Sequence, residues 1–474
     1  KVRTGRTRLR KRSISWSKLQ SPIRDWITKR SALRVGPPGY RYRCRGADVN
    51  LSPITGVPLL VATSLKIAIM FGVVMLTVAY TTLAERRVSA FIQDRHGPNR
   101  VGPFGLLQPI ADGLKNLVKE EALPGAASKS YFMLGPMLAM GPALVTFAVV
   151  PFAAPLPTQW GVVDMIIADV PIGILYILAL GSLGVYGIVI GGWASNNKYA
   201  FLGALRASAQ MVSYEVALGL SLIVVLMMAG NVTLTGIVWQ QQQLGFWFAF
   251  PLSLGFILFV VSAFAETNRL PFDMPEAESE LITGFHTEYS AMKFSMFFIA
   301  EYAHMLTASA LMATLFWGGW DLPGSWDDAY WYRGELIRGF DESGATIAAA
   351  PAVWKTLLTF AAFALKTAFF LFLYIWIRWT VPRFRYDQVM QLGWKIMLPT
   401  ALAYLMVVAG TILVLDQVEV SGFSFGLTLT GVSVICTVAF VFFLDRGRII
   451  GGAASPPEPG PVVLEPTPGV GTKA

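Results

Sequence analysis

AETNRLPFDMPEAESELITGFHTEYS, residues 265–290, gathers six carboxylates: Glu266, Asp273, Glu276, Glu278, Glu280 and Glu288. Arg269 and a proton on His286 are all that can balance them within the stretch. Apolar runs flank it. The second, MKFSMFFIAEYAHML (292–306), carries Glu301 and His304 three residues apart, on one face of a helix. Acid packed between apolar runs reads as a loop joining two membrane spans.

The rest of the chain agrees. Of its 474 residues 54% are apolar and 14% charged, where soluble domains carry about a quarter charged residues. A span needs about 20 mostly apolar residues. Nine segments qualify: 59–83, 131–153, 169–192, 209–230, 246–265, 289–317, 356–379, 396–415 and 424–444. Backbone in lipid must satisfy its own hydrogen bonds, so these are helices. The fold class is an all-α polytopic membrane protein.

Charge on the connections sets an orientation. Loop 84–130 holds Arg86, Arg87, Arg95, Arg100, Lys115, Lys119 and Lys129; loop 193–208 holds Lys198 and Arg206; loop 380–395 holds Arg383, Arg385 and Lys395. Loops 154–168 and 231–245 hold no Lys or Arg. The positive-inside rule places the basic loops in the cytoplasm, and alternation places the acidic loop 266–288 there too.

The termini differ from this body. Residues 1–58 hold fifteen Lys/Arg and two acids, net +13, leaving −4 for the remainder. Alternation puts this arm outside, where such charge is disfavoured. It reads as an interfacial arm, as a transit-like presequence, or as upstream translation outside the mature protein. The last is favoured, because the first methionine, Met70, already lies inside a span. The tail 452–474 is Pro/Gly-rich and reads as a disordered extension.

Several function classes are excluded. Two cysteines, Cys44 and Cys436, give no disulfide framework, CxxC pair or iron–sulfur spacing. Three histidines, His96, His286 and His304, make no His-rich metal site. No phosphate-binding glycine motif follows a strand-like run. Ionisable residues inside spans are costly and mark function by default; here they are Lys66, Glu215, Glu301, His304 and Lys366. They read either as paired charges that fix helix packing or as a proton relay. LLQPIADGLKNLVKEE reads as a short amphipathic helix in which Asp112 and Lys115 can pair. At this level an apolar tunnel ending at a polar headgroup site and a proton-coupled transporter both remain open.

The order of segments narrows the choice. AERRVSAFIQDRHGPNRVGPFGLLQPIADGLKNLVKEE, SNNKYAFLGALRASAQMVSYEV, AETNRLPFDMPEAESELITGFHTEYSAMKFSMFFIAEY and PRFRYDQVMQLGWKIMLP resemble, in order and spacing, the quinone-chamber membrane subunit of respiratory complex I. In the bacterial enzyme that is the H subunit, and in the mitochondrial one it is subunit 1; GFHTEYSAMKF looks like the bacterial form. The likeness covers about 59–415 and implies an eight-helix core, leaving 416–451 as a probable ninth, extra transmembrane helix. It implies one subunit of a proton-translocating NADH:quinone oxidoreductase in the bacterial inner membrane, inactive alone. Quinone, ubiquinone or menaquinone, would be a substrate, with FMN and iron–sulfur clusters in partner subunits only. Partners would be the peripheral-arm iron–sulfur and quinone-site subunits and the small and antiporter-like membrane subunits, with no nucleic acid.

Carried over by motif, Arg86, Arg95, Asp112, Arg206, Glu266, Arg269, Asp273, Glu276, Glu278 and Glu280 would surround the quinone chamber. Glu215, Glu288 and Glu301 would begin the intramembrane proton path. No metal site is implied. Two alternatives stand beside this: a related membrane subunit of a hydrogenase-type or other donor-linked complex, and a stand-alone proton-coupled secondary transporter. The intact ETNRLPFDMPEAESE and PRFRYDQ loops favour the quinone enzyme over the first. The lack of visible internal repeats counts against the second.

Overall fold

The computed structural model describes residues 56–158, 161–275, 282–322, 353–418, 420 and 423–445, with three short strand pairs elsewhere (43–44 with 47–48, 330–332 with 335–337, 339–340 with 346–347). The tail 452–474, nearly all of the arm 1–58, and Glu276, Glu278 and Glu280 lie outside the described residues.

The described body is helical: α1 (Val57–Ile92), α2 (Gln108–Val118), α3 (Lys129–Val145), α4 (Gly173–Ala194), α5 (Lys198–Ala229), α6 (Leu234–Leu244), α7 (Ser253–Glu266), α8 (Ala291–Phe316), α9 (Val353–Thr380), α10 (Tyr386–Gln417) and α11 (Phe423–Asp445). A two-stranded hairpin, Leu156–Thr158 with Gly161–Val163, joins α3 to α4. Among the described residues eight helices are long and apolar enough to cross a membrane: α1, α3 with its 3-10 extension to Val149, α4, α5, α8, α9, α10 and α11.

Several expected boundaries move, each for a local reason. The segment 246–265 is not one long helix. Pro251 has no N–H to continue a ladder upstream, and the residues before it turn, with Phe248 N donating to Gln241 Oε1 at 3.1 Å. The remaining helix, α7, has 14 residues, a length of about 21 Å against a hydrocarbon core of about 30 Å. The expected loop 193–208 is mostly helix: α5 starts at Lys198, capped by the Asn197 side chain, which accepts from Tyr199 N at 2.9 Å. α1 likewise runs on to Ile92, so Glu85, Arg86 and Arg87 are helical and not in a loop. Residues 231–245 contain α6 rather than only a connection. α10 starts at Tyr386, ten residues before the expected 396, and passes through a π turn at Leu392–Met397. In the turn that precedes it, Tyr214 Oη of α5 donates to Val389 O at 2.9 Å.

α8 is the hub, packed against α1, α2, α3, α6, α7 and α9. α3 and α4 approach backbone to backbone, because a Cβ on Gly187 would stand 2.6 Å from Ala139 N. Small residues let membrane helices meet in this way.

Lys366 has a structural task. It is buried in α9, and its Nζ donates to Trp317 O at 2.7 Å, Gly319 O at 3.0 Å and Asp321 O at 2.6 Å. These carbonyls follow the C-terminus of α8, where orphaned carbonyls and the negative end of the dipole need a cation. Lys66 does the same for the segment before α4, donating to Asp164 O at 3.0 Å and Ile166 O at 2.8 Å. Lys366→Met removes the donor from a buried set and should cost roughly 1–3 kcal/mol. The check is the thermal midpoint of the assembled, detergent-extracted protein; a midpoint equal to the parent's contradicts the assignment.

Candidate functional site

Arg269 follows α7 by three residues and is 4% exposed. A buried guanidinium needs carboxylates, because desolvation costs several kcal/mol per ion. Two are present. Arg269 Nε stands 2.8 Å from Glu301 Oε1 of α8, and Arg269 Nη1 stands 3.5 Å from Glu85 Oε1 of α1. The guanidinium also lies over the Tyr302 ring, 4.2 Å from its centroid. Tyr302 Oη donates to Glu85 Oε2 at 2.6 Å, and Arg378 of α9 pairs with Glu85 Oε1. Burial alone would lower the Arg269 guanidinium, but Glu301, Tyr302 and Glu85 hold it above its ordinary value. Three helices and one loop thus meet at one buried charge cluster.

The loop after α7 is held by further contacts. Gln210 of α5 is fully buried, and its Nε2 donates to Ala265 O at 2.8 Å, Phe272 O at 2.7 Å and Asn268 Oδ1 at 3.1 Å. Asp273, 5% exposed, pairs through Oδ2 with Arg383 Nη2 at 3.1 Å.

Beside the cluster lies a small cavity of about 50 Å³ whose polar wall includes Glu266, Asn268, His286, Glu301 and His304. α4 makes room for two of them. A Cβ on Gly181 would stand 3.1 Å from Glu266 Oε1, and one on Gly184 would stand 3.2 Å from His304 Nε2. Ser182, between these glycines, hydrogen-bonds Glu215 Oε1. Glu215 and Glu266 therefore flank consecutive residues of α4. A cavity lined by carboxylates and imidazoles has the polar partners that internal water requires.

The expected site residues divide into groups. Arg269, Glu301 and Glu266 come together at the cluster and cavity, with Glu215 next to them. Glu288 is apart from these, accepting from Asn197 Nδ2 at 2.7 Å. Arg86 and Asp112 pair at 2.7 Å where α1 meets α2, with Gln108 Nε2 donating to Asp112 Oδ1 at 3.0 Å. Asp112 thus pairs with Arg86 where Lys115 was expected. Arg206 stands over the Tyr386 ring, 5.6 Å from its centroid. Arg95 lies in an exposed turn with its Nε on Gln93 Oε1 at 2.7 Å, and joins none of the others.

Sequence reading missed Glu85, Tyr302 and Arg378 as site residues. Glu85 and Arg378 each close an apolar run, where a charge reads as an ordinary interfacial anchor. The signal available was phase: Glu85 falls on the α1 stripe that includes Thr81, Ser89 and Val78, all buried.

Comparison with known proteins bears on this arrangement. The sequence model of the NADH dehydrogenase family matches residues 65–409. The chain is 46% identical over 357 residues to an NADH-quinone oxidoreductase H subunit of Cytophaga hutchinsonii, covering 75% of this chain and 98% of that protein. It is 49% identical over 354 residues to the NADH-ubiquinone oxidoreductase chain 1 of Chondrus crispus, covering 75% and 98%. With an NADH-quinone oxidoreductase H subunit of Geobacter metallireducens it shares 47% identity over 363 residues, 76% of this chain and 100% of that protein.

Two outcomes test the site's energetics. Arg269→Met strands buried carboxylates and should cost about 3–5 kcal/mol, whereas Arg86→Met removes a half-exposed pair and should cost less than about 1 kcal/mol. Thermal midpoints of the two variants, compared with the parent, read the contrast; equal losses contradict it. Burial pushes the His286 imidazole down to about 4. The unfolded chain, with an ordinary histidine, binds the proton first, so stability is full above about pH 6.5 and falls as pH drops toward 4. At about pH 5 the loss from this group is on the order of 2 kcal/mol. His286→Gln should flatten that acid limb; an unchanged limb contradicts the assignment.

Proposed function

The chain belongs to the NADH dehydrogenase family, and we propose that it forms the membrane half of a quinone-reduction chamber and the start of the proton path that leads from it. It is a membrane subunit of an NADH:quinone oxidoreductase, the activity carried in the names of its close relatives. The observation that carries the finer reading is the double pairing of Arg269. Its loop holds the acids and bases assigned to the chamber, and its partner Glu301 belongs to the set assigned to the proton path. One buried cation thus joins the two.

The chemistry follows from electrostatics. Reducing a quinone to a quinol takes up two electrons and two protons, so charge near the chamber changes during turnover. Buried carboxylates this close titrate as a coupled set, and a change in field at one moves protons on the others. Loss of negative charge near Arg269 strengthens its hold on Glu301 and favours the ionised carboxylate there. Gain of negative charge does the reverse, and Glu301 takes up a proton. Glu266, which shares the cavity wall with Glu301, and Glu215, behind Ser182 of α4, are read as the route inward. The apolar walls around them limit water to the cavity, so the field is weakly screened. Glu276, Glu278 and Glu280 belong to the chamber side of this reading, with Asp273 and Arg383 fixing the stretch of loop that precedes them.

The reading extends to its setting, supported by the family match and the membrane-length helices: the bacterial inner membrane, loops of basic and acidic character on the cytoplasmic side, iron–sulfur and flavin chemistry in partner subunits, and antiporter-like membrane subunits beyond the proton path. The quinone is substrate, and no group resident in this chain is required.

Glu301→Gln is the direct test. In inverted native membranes it should leave NADH oxidation by an artificial acceptor at parent level, since that reaction bypasses the membrane arm. Coupled quinone reduction should fall by about a hundredfold. Parent-like coupled turnover in the assembled variant contradicts the proton-path assignment. A complex that uses neither NADH nor quinone favours the donor-linked relative instead.

A further inference from the structure

His304 follows Glu301 by one turn of α8, and both face the cavity with Glu266 and His286. The fit depends on α4. Gly181 and Gly184 are three apart, so positions for their Cβ atoms project from one face, roughly 5–6 Å from each other. Glu266 Oε1 occupies the space at the first and His304 Nε2 the space at the second. The carboxylate of α7 and the imidazole of α8 therefore share one notch in the α4 surface. Among the described residues no ion pair or hydrogen bond fixes the His304 ring, which leaves its nitrogens to the cavity.

We propose that His304 relays protons across the cavity, between Glu301 on one side and the Glu266–Glu215 pair on the other. This rests on the proton-path reading above. In one passage the Glu301 carboxylic acid gives its proton, through cavity water, to one ring nitrogen, leaving a carboxylate and an imidazolium. The proton on the other nitrogen then leaves toward the Glu266 carboxylate. One proton has entered and one has left, no electrons have moved, and the neutral ring remains in its other tautomer. Rotation of the ring or exchange with cavity water restores it. Histidine suits the step because one ring nitrogen can take up a proton while the other releases one.

The titratable and charged groups around it are few. Glu301 is on its own helix, with Arg269 and Glu85 beyond. Glu266 comes from α7, Glu215 from α5 behind Ser182, and His286 from the loop before α8. α3 and α4 present only apolar and glycine positions, including Ala139, Gly184 and Ile188.

The experiment compares His304→Asn and His304→Gln with the parent and with Glu301→Gln in inverted native membranes. NADH oxidation by an artificial acceptor normalises for assembly. Coupled quinone turnover and protons moved per NADH are then measured from about pH 6 to 9. The relay predicts a loss of about tenfold or more in coupled turnover in both histidine variants, an unchanged quinone KM, and loss of one limb of the pH profile. Parent-like turnover, proton ratio and pH profile in an assembled histidine variant overturn it. So does a raised KM at parent kcat, which would make His304 a wall of the chamber. If Glu301→Gln is inactive while His304→Asn matches the parent, only the relay falls. If Glu301→Gln also matches the parent, the path itself falls. Should neither histidine variant assemble, Gly184→Ala retains the imidazole and crowds it from 3.2 Å. It should lower coupled turnover in the same way, and parent behaviour there overturns the relay.

Discussion

A guanidinium buried in a low-dielectric interior has to be neutralised from several directions at once. Arg269 meets that condition through Glu301, Glu85 and the face of Tyr302. Each comes from a helix whose position is thereby fixed against the loop after α7. Desolvating one ion costs several kcal/mol, and mutual attraction offsets this only with close geometry and further hydrogen bonds. Arg378 on Glu85 and Tyr302 on Glu85 supply those. Much of what surrounds the cluster follows from holding it still. Gln210 clamps the loop backbone, Asp273 and Arg383 pin its far side, and α7 stops at Glu266 so that the loop can turn back toward α8.

The same constraint shapes the cavity. The carboxylate of Glu266 and the imidazole of His304 need room beside α4, and the helix provides it by being glycine at 181 and 184. Farther along the same helix, glycine serves packing, with Gly187 against Ala139 of α3. A single α4 sequence, GSLGVYG, therefore does two kinds of work. The lysines within spans belong to a different category. Lys366 and Lys66 satisfy backbone carbonyls at the ends of other segments and stand apart from the acid cluster.

Much of this was legible in the residues. Apolar runs gave the spans, and acid at 265–290 pointed to the segment that brings Glu266, Arg269 and His286 to the buried cluster and cavity. The quoted motifs carried the family, which the match over residues 65–409 bears out. What periodicity could not give was length. Span boundaries were placed where polar residues begin, yet α1, α5 and α10 continue through them, because Ala, Leu, Arg and Gln are good helix formers whatever their polarity. The opposite error fell on 246–265, where a proline shortens the helix. Partnership was also out of reach. Glu301 and His304 could be placed on one face of a helix, but Glu85 reaches Arg269 across 184 positions of chain, and no local pattern encodes that. Arg383 read as an anchor for the same reason.

Through the Arg269 that it shares with the acidic loop, Glu301 is proposed to change protonation when quinone is reduced. Difference infrared spectroscopy of the intact complex, recorded on reduction of bound quinone, observes this directly. The expected result is a carboxylic-acid carbonyl band that shifts in deuterium oxide and is missing from Glu301→Gln. Difference spectra with the same carboxyl bands in parent and Glu301→Gln would contradict it.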